Sequence, residues 1–324
     1  MKKTNGTKSL ISYIDSIFMV DGEMIADNGE DSYIFSVNDD YGIIGVFDGC
    51  GGLGSRKYAE YNNKSGAYIS SRIVSKATLG WFDKFSENSR SLSGNTIKDI
   101  CNELKDAIVN ELKDYEQGTR SNGIKGSMTK SFPTTASIIL FANKNDMLYS
   151  SYIWAGDSRG FVLTTSGLTQ ITKDDIENDG DALDNISSDG KLTNVVSADG
   201  NFVLNNRMIT CEKMGVLVTA TDGCFGYFST PMEFEYMLID TLLKSNNVEE
   251  WKEKINEYIK KYTADDYTIG LVVFGYENFK KMKKAYSERH KFLLQKYIKR
   301  LDSTDEKGKN HLWNEYKDNY YRGV

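Results

Sequence analysis

Histidine is almost missing from this chain. Its 324 residues hold two, His290 and His311, both after residue 276. If the chemistry lies in residues 1–276, a Ser-His-Asp triad, a Cys-His nucleophile pair and histidine-bound zinc are excluded there. Carboxylates remain, and with backbone carbonyls they suit hard cations such as magnesium or manganese. Cysteine is scarce too. Cys50, Cys101, Cys211 and Cys224 form no CxxC, which excludes zinc knuckles and thioredoxin-type motifs. Four in so long a chain do not make a disulfide scaffold and point to reduced thiols in a cytosol. No 18 uncharged apolar residues run together, so no transmembrane segment is expected. Ser9–Val20 is apolar but short, carries Asp15 and lacks a small-residue cleavage site, which makes it a poor signal peptide. The expected location is cytoplasmic.

An excess of basic residues is also lacking. Asp and Glu number 46 against 40 Lys and Arg, and a net charge of −6 argues against a nucleic-acid binder. The charge is unevenly spread. Residues 277–324 hold 13 Lys and Arg against 7 Asp and Glu, a basic tail of +6 on an acidic body of −12.

Strand signals come in pairs. Ser32–Val37 and Tyr41–Phe47 flank Asn38-Asp39-Asp40, and Thr134–Ala142 and Met147–Ala155 flank Asn143-Lys144-Asn145-Asp146. Phe161–Thr164 and Leu168–Thr172 form a third hairpin, and Arg207–Cys211, Gly215–Thr221 and Tyr267–Phe274 read as further strands. Helical periodicity covers Ser55–Lys76, Asn95–Glu116, Met232–Lys244 and Val248–Lys261. Hairpins and helices in blocks argue for α+β with antiparallel sheets. In the tail, Phe279, Met282, Tyr286, Leu293 and Tyr297 recur at helical spacing among lysines. Such a helix docks on its own acidic body, the plainer reading, or on a partner or an anionic membrane. Leu312, Trp313, Tyr316, Tyr320 and Tyr321 follow a polar break at Asp302–Asn310.

Residues 174–190 carry Asp174, Asp175, Glu177, Asp179, Asp181, Asp184 and Asp189 and no Lys or Arg. Asp175, Glu177, Asp179 and Gly180 make part of a calcium loop. Ile186 stands where the bidentate Glu is needed, so a solvated, mobile acidic loop is the better reading.

Other acidic residues sit at strand ends beside glycine. Asp48 opens Asp48-Gly49-Cys50-Gly51-Gly52, Asp157 lies in Gly156-Asp157-Ser158-Arg159, and Asp222 ends an apolar run before Gly223. Asp265 and Asp266 precede one strand, Glu30 and Asp31 another. Gathered carboxylates raise each other's pKa unless cations sit between them. A single Asp-Gly pair is an ordinary turn, but five loci at strand ends suggest one shared metal site.

In this order, Glu30-Asp31-Ser32, Val46-Phe47-Asp48-Gly49-x-Gly51-Gly52, Thr134-Thr135-Ala136, Ala155-Gly156-Asp157-Ser158-Arg159, Thr221-Asp222-Gly223 and Asp265-Asp266-Tyr267-Thr268 resemble the metal-dependent serine/threonine phosphatases of the protein phosphatase 2C (PPM) type. The resemblance runs from about residue 20 to 275. It implies a four-layer αββα architecture, an antiparallel β-sandwich flanked by helices, as a catalytic domain over 1–276 with a C-terminal helical extension over 277–324. It also implies two Mn or Mg ions. Asp48 would bridge them, the Gly49 carbonyl would meet one, and Asp222 and Asp265 would complete its shell. Glu30 would serve the second, Asp31 would hold its waters, and Asp157 with Asp222 would host a third, weaker ion. The implied reaction is hydrolysis of phosphoserine and phosphothreonine on proteins by a two-metal-activated water.

Two positions depart from the family. Its leaving-group histidine is Cys50 here, as a methionine replaces it in some bacterial-type members. Its phosphate-gripping arginine is absent between Val20 and Asp31, leaving Arg56 or Lys57 to substitute, unless both are simply a solvated helix start. Cys50 and Cys224 read as packing residues. A pseudophosphatase that binds phosphoproteins with little turnover is the alternative function, and a cognate kinase or effector is the natural partner of the tail.

Overall fold

The computed structural model describes residues 9–88, 91–118, 131–144, 147–177, 180–187, 190–211, 213–301 and 303–322. Asn145, Asp146, Asp179, Asp189 and Asp302, named above, lie outside them. The strands are β1 (Ile14–Gly22), β2 (Ser32–Val37), β3 (Tyr41–Phe47), β4 (Lys57–Tyr58), β5 (Lys64–Ser65), β6 (Ala136–Lys144), β7 (Met147–Ala155), β8 (Arg159–Thr164), β9 (Gly167–Gln170), β10 (Asn205–Cys211), β11 (Gly215–Ala220) and β12 (Tyr267–Phe274). One five-stranded sheet runs β1-β12-β11-β8-β9, the other β10-β7-β6-β3-β2, and their pairings are antiparallel. Turn chemistry starts the hairpins. Asn38 Oδ1 accepts from the N–H groups of Asp40 and Tyr41, at 3.0 and 2.8 Å, and sets β2 against β3.

The sheets face each other through Ile44, Ile139, Phe141, Tyr152, Leu217 and Phe274. Helices cover both outer faces, so β3, β11 and β12 are buried at every position and read as continuous apolar runs. The helices Gly66–Glu87 and Ile97–Gly118 pack over one sheet through residues such as Ile73, Phe82, Leu104 and Ile108. Pro231–Lys244 and Val248–Tyr262 cover the other, where Trp251 is fully buried and its indole N–H reaches the Leu238 carbonyl at 3.2 Å. The result is a four-layer α+β sandwich.

Two elements differ from the expectation. Helix does not begin at Ser55. Asn62 and Asn63 take left-handed φ values of 54° and 58°, which turns the chain between β4 and β5, and Ser65 then caps the helix by accepting from the Tyr68 N–H at 3.0 Å. The same helix outruns Lys76 because Trp81, Phe82 and Phe85 continue its buried face. The apolar Ser9–Val20 stretch, for which no strand was expected, forms most of β1, which pairs with β12 along Ser16–Gly22. Its Asp15 accepts from the N–H groups of Tyr276 and Glu277, at 2.7 and 3.1 Å, and fixes the exit into the tail.

The tail docks on its own body. A helix over Phe279–Leu293 continues through a π-helical turn at Leu294–Ile298, and a second runs over Glu306–Tyr320. Met282, Tyr286, Leu293, Tyr297, Leu312, Trp313, Tyr316 and Tyr320 are buried in the core beneath them. Burial of each such side chain is worth about 1.5–3 kcal/mol. Arg289 makes a bidentate pair with the fully buried Glu235, at 2.6 and 2.8 Å, and the Tyr316 hydroxyl donates to the same carboxylate. Lysines 280, 284, 291 and 299 remain on the exposed side. Among the described residues, no helix is long and apolar enough to cross a membrane.

Candidate functional site

The acidic motifs meet where the strands of both sheets end. Asp48 follows β3, and the start of β6 binds its backbone: the Thr135 N–H and the Thr134 hydroxyl both donate to its carbonyl at 2.7 Å. The Asp48 N–H donates in turn to Thr135 Oγ1 at 3.3 Å, and that hydroxyl lies 2.6 Å from Ser158 Oγ. The Gly156-Asp157-Ser158-Arg159 turn is thus tied to the Asp48 loop. Gly156 has φ +101°, and a Cβ there would stand 2.7 Å from Thr135 Cγ2, so only glycine fits. From the other sheet, the Thr221 hydroxyl donates to Asp31 at 2.8 Å. Asp266 accepts from the N–H groups of Met24 and Glu30, both at 2.7 Å, so its two oxygens hold the 24–30 segment in place. Its neighbour Asp265 sits on the outer rim, its side chain open to solvent although protein atoms crowd around its carboxylate.

These carboxylates feel one another. Burial, and then Asp222, Asp31, Asp157 and Asp265, push Asp48 well above the usual carboxylate range. Burial and then Asp222 do the same to Asp157. Asp31 is raised well above the usual range by burial, although the hydrogen bond from the Thr221 hydroxyl opposes the shift. Asp265 is moved from 3.8 to about 6 by burial and then Asp222. Glu30 is raised by burial, against a hydrogen bond from the Ser65 hydroxyl. Cys50 is half-buried among the same groups. Burial, Asp48, Asp157, Asp222 and Glu30 hold its thiol protonated, far from a thiolate nucleophile. Cys224 is a buried thiol.

Among the described residues, no three His, Cys, Asp or Glu side chains are drawn close enough together to hold a metal ion. The donor chemistry nevertheless fits a hard divalent cation, since oxygen ligands dominate and their negative charges destabilise one another. Two clefts open at the cluster. One of about 410 Å³ is lined by Glu30, Asp265, Lys57 and Lys64, the other of about 290 Å³ by Asp157, Asp222 and Arg159. A larger cavity of about 740 Å³ lies between β8, β9 and β10 and is lined by none of these acids. Arg56 is exposed, its guanidinium 5.0 Å from the Tyr58 ring centroid; Lys57 lines the first cleft and Arg56 does not.

The acidic segment is not the freely solvated loop expected. Asp174 is buried in a bidentate pair with Arg159, at 3.0 and 2.6 Å. Asp175 accepts from Asn194 and Asn205 and from the Gly156 N–H, which occupies a would-be calcium ligand with structural bonds. The residues missed from sequence are the positioning ones. Ser158 and Thr221 stand next to Asp157 and Asp222 in the sequence, which is the signal that could have found them, whereas Thr135 has no acidic neighbour. Ser65 gave no signal, because it reaches Glu30 from a turn 35 positions away.

The four-layer α+β fold is that of solved PPM-type serine/threonine phosphatases. A bacterial serine phosphatase superposes with a TM-score of 0.58 at 16% identity, over 81% of this chain and 98% of that one. Stp1 of Staphylococcus aureus gives 0.58 at 16%, over 81% and 95%, and PstP/Ppp of Mycobacterium tuberculosis gives 0.52 at 16%, over 80% and 98%. No family model matches the chain, and no curated protein does.

Proposed function

We propose that this chain is a metal-dependent protein phosphatase that removes phosphate from phosphoserine and phosphothreonine. The observation that carries the reading is the convergence of the acidic loops at one rim: the Thr221 hydroxyl ties Asp31 to the Asp222 loop, Thr135 and Ser158 tie the Asp48 loop to that of Asp157, and Asp157 and Asp222 line one cleft. A fold has no need of so many repelling carboxylates, and each raises the cost of ionising the next. Glu30, Asp48, the Gly49 carbonyl, Asp222 and Asp265 would hold two ions, with Asp31 ordering water and Asp157 serving a weaker third position. When bound, manganese or magnesium supplies the positive charge the rim lacks and a water acidic enough to attack phosphorus at neutral pH.

The protein's own part is to orient and to exclude. Thr134 and Thr135 fix the Asp48 backbone, Asp266 fixes that of Glu30, and Thr221 aims Asp31. Lys57 in the cleft beside Glu30 supplies a cation for phosphate oxygens, as does Arg56 if it leaves the Tyr58 ring. The protonated Cys50 thiol is a hydrogen-bond donor at the leaving-group side and too weak an acid to replace an imidazole. Residues 1–276 carry this chemistry, and the tail offers its basic face to a kinase or effector.

The exposed, ring-stacked Arg56 favours a second reading, a phosphoprotein-binding module with slow turnover. Hydrolysis of an aryl phosphate with manganese and with chelator separates the two. The proposal expects chelator-sensitive turnover. Manganese binding without turnover supports the module, and turnover indifferent to chelator refutes the metal-dependent mechanism.

A further inference from the structure

The acidic segment is held from two sides. At its base, Asp174 takes the Arg159 pair and a further hydrogen bond from Asn185 at 2.8 Å. At its outer end the partners come from the C-terminal extension. The Trp313 indole N–H donates to Asp181 Oδ2 at 2.7 Å, and the Ala182 N–H donates to the Tyr321 hydroxyl at 2.7 Å. The other Asp181 oxygen accepts from the Leu183 N–H at 3.0 Å, so the carboxylate that Trp313 grips also starts the short helix Ala182–Ser187. Trp313 is itself fixed, 2% exposed, with its ring 5.3 Å from that of Tyr320.

Leu312, Tyr316 and Tyr320 already bury the apolar side of the Glu306–Tyr320 helix in the body. The Trp313 N–H and the Tyr321 hydroxyl reach beyond that apolar contact and engage the backbone and carboxylate of the acidic segment. That segment matters to the site because Ile176, Asn185, Ile186 and Gly190 line the cleft of about 290 Å³ together with Asp157 and Asp222.

We propose that Trp313 and Tyr321 are positioning residues through which the C-terminal extension holds the acidic segment as a wall of the Asp157/Asp222 cleft, and so sets how a phosphoprotein enters it. The consequence for substrate rests on the phosphatase reading; the positioning does not.

The test uses the full chain and two variants, Tyr321→Phe, which removes only the hydroxyl, and Trp313→Phe with Tyr321→Phe, which also removes the indole N–H while trading the indole of a buried residue for a smaller phenyl ring. Amide exchange over residues 180–186 is expected to quicken about tenfold or more, while the Gly66–Glu87 helix exchanges as before. KM for a phosphothreonine peptide is expected to rise about fivefold with kcat held within about twofold, and an aryl phosphate, too small to meet the segment, keeps its KM. Unchanged exchange in the segment overturns the proposal, as does faster exchange throughout the chain. Faster segment exchange with an unchanged peptide KM overturns its substrate half. If the wild type releases no phosphate at all, the phosphatase reading fails, and the exchange measurement alone decides the positioning role.

Discussion

Withholding divalent cations should make this protein less stable as pH rises. Carboxylates whose folded-state pKa is raised contribute stability that is present below the unfolded value and lost as pH climbs through the folded one. For Asp265 the window runs from 3.8 to about 6, and it extends higher for Asp48, Asp157 and Asp31, which burial and their neighbours push further. At face value the Asp265 shift corresponds to about 3 kcal/mol. Its exposed position on the rim lets water screen the repulsion, which reduces the figure to about 1 kcal/mol. That alone lowers Tm by about 2 °C in a chain of this size, and the deeper aspartates add to it in the same direction. Thermal melts in chelator at about pH 5.5 and about pH 8 read the effect directly. The melting temperature should be lower at the higher pH, saturating manganese should restore it, and Asp48→Asn should raise it in chelator by removing a half-buried, repelled charge. Equal melting temperatures at both pH values, or an Asp48→Asn variant no more stable than wild type in chelator, would refute the reasoning.

Other outcomes follow from particular contacts. Ser65→Ala removes the hydroxyl that donates to Glu30 and should weaken manganese binding about tenfold in calorimetry, as loss of a ligand's hydrogen-bonding support does. Arg289→Ala strands the fully buried Glu235 and should cost about 3 kcal/mol or more in urea denaturation, because an unpaired charge is left inside. Gly223→Ala sets a Cβ 2.0 Å from the Asp266 carbonyl oxygen and should lower stability by about 1–3 kcal/mol by displacing the Asp222 loop. Matched phosphopeptides should be turned over faster when basic than when acidic, since residues 174–190 carry only negative charge; equal rates would remove that role.

Strand positions were legible in the sequence where burial imposes a simple pattern. The spans of β3, β7 and β12 were read to the residue because each is a largely buried apolar run bounded by turn residues or acids, and that of β2, only partly buried, because Asp31 and Asn38 bracket it. β1 escaped because its half-exposed pattern does not alternate and its partner lies some 250 positions away, where no local signal reaches. The helix at Ser55 was misplaced because two left-handed asparagines decide its start, and propensity does not register a pair of that kind. The acids themselves were visible as Asp-Gly punctuation at strand ends. Their hydroxyl partners were half-visible, and the union of Asp181 with Trp313 was not, since it depends on how the tail folds back across the body.

The most direct measurement is phosphate release from a phosphothreonine peptide by wild type and by Asp48→Asn, with manganese present and then removed by chelator. The account predicts release that stops on chelation and falls by about a hundredfold or more in the variant, as loss of a principal electrostatic element of an active site does. Release by Asp48→Asn at the wild-type rate, or release that persists without a divalent cation, would contradict it.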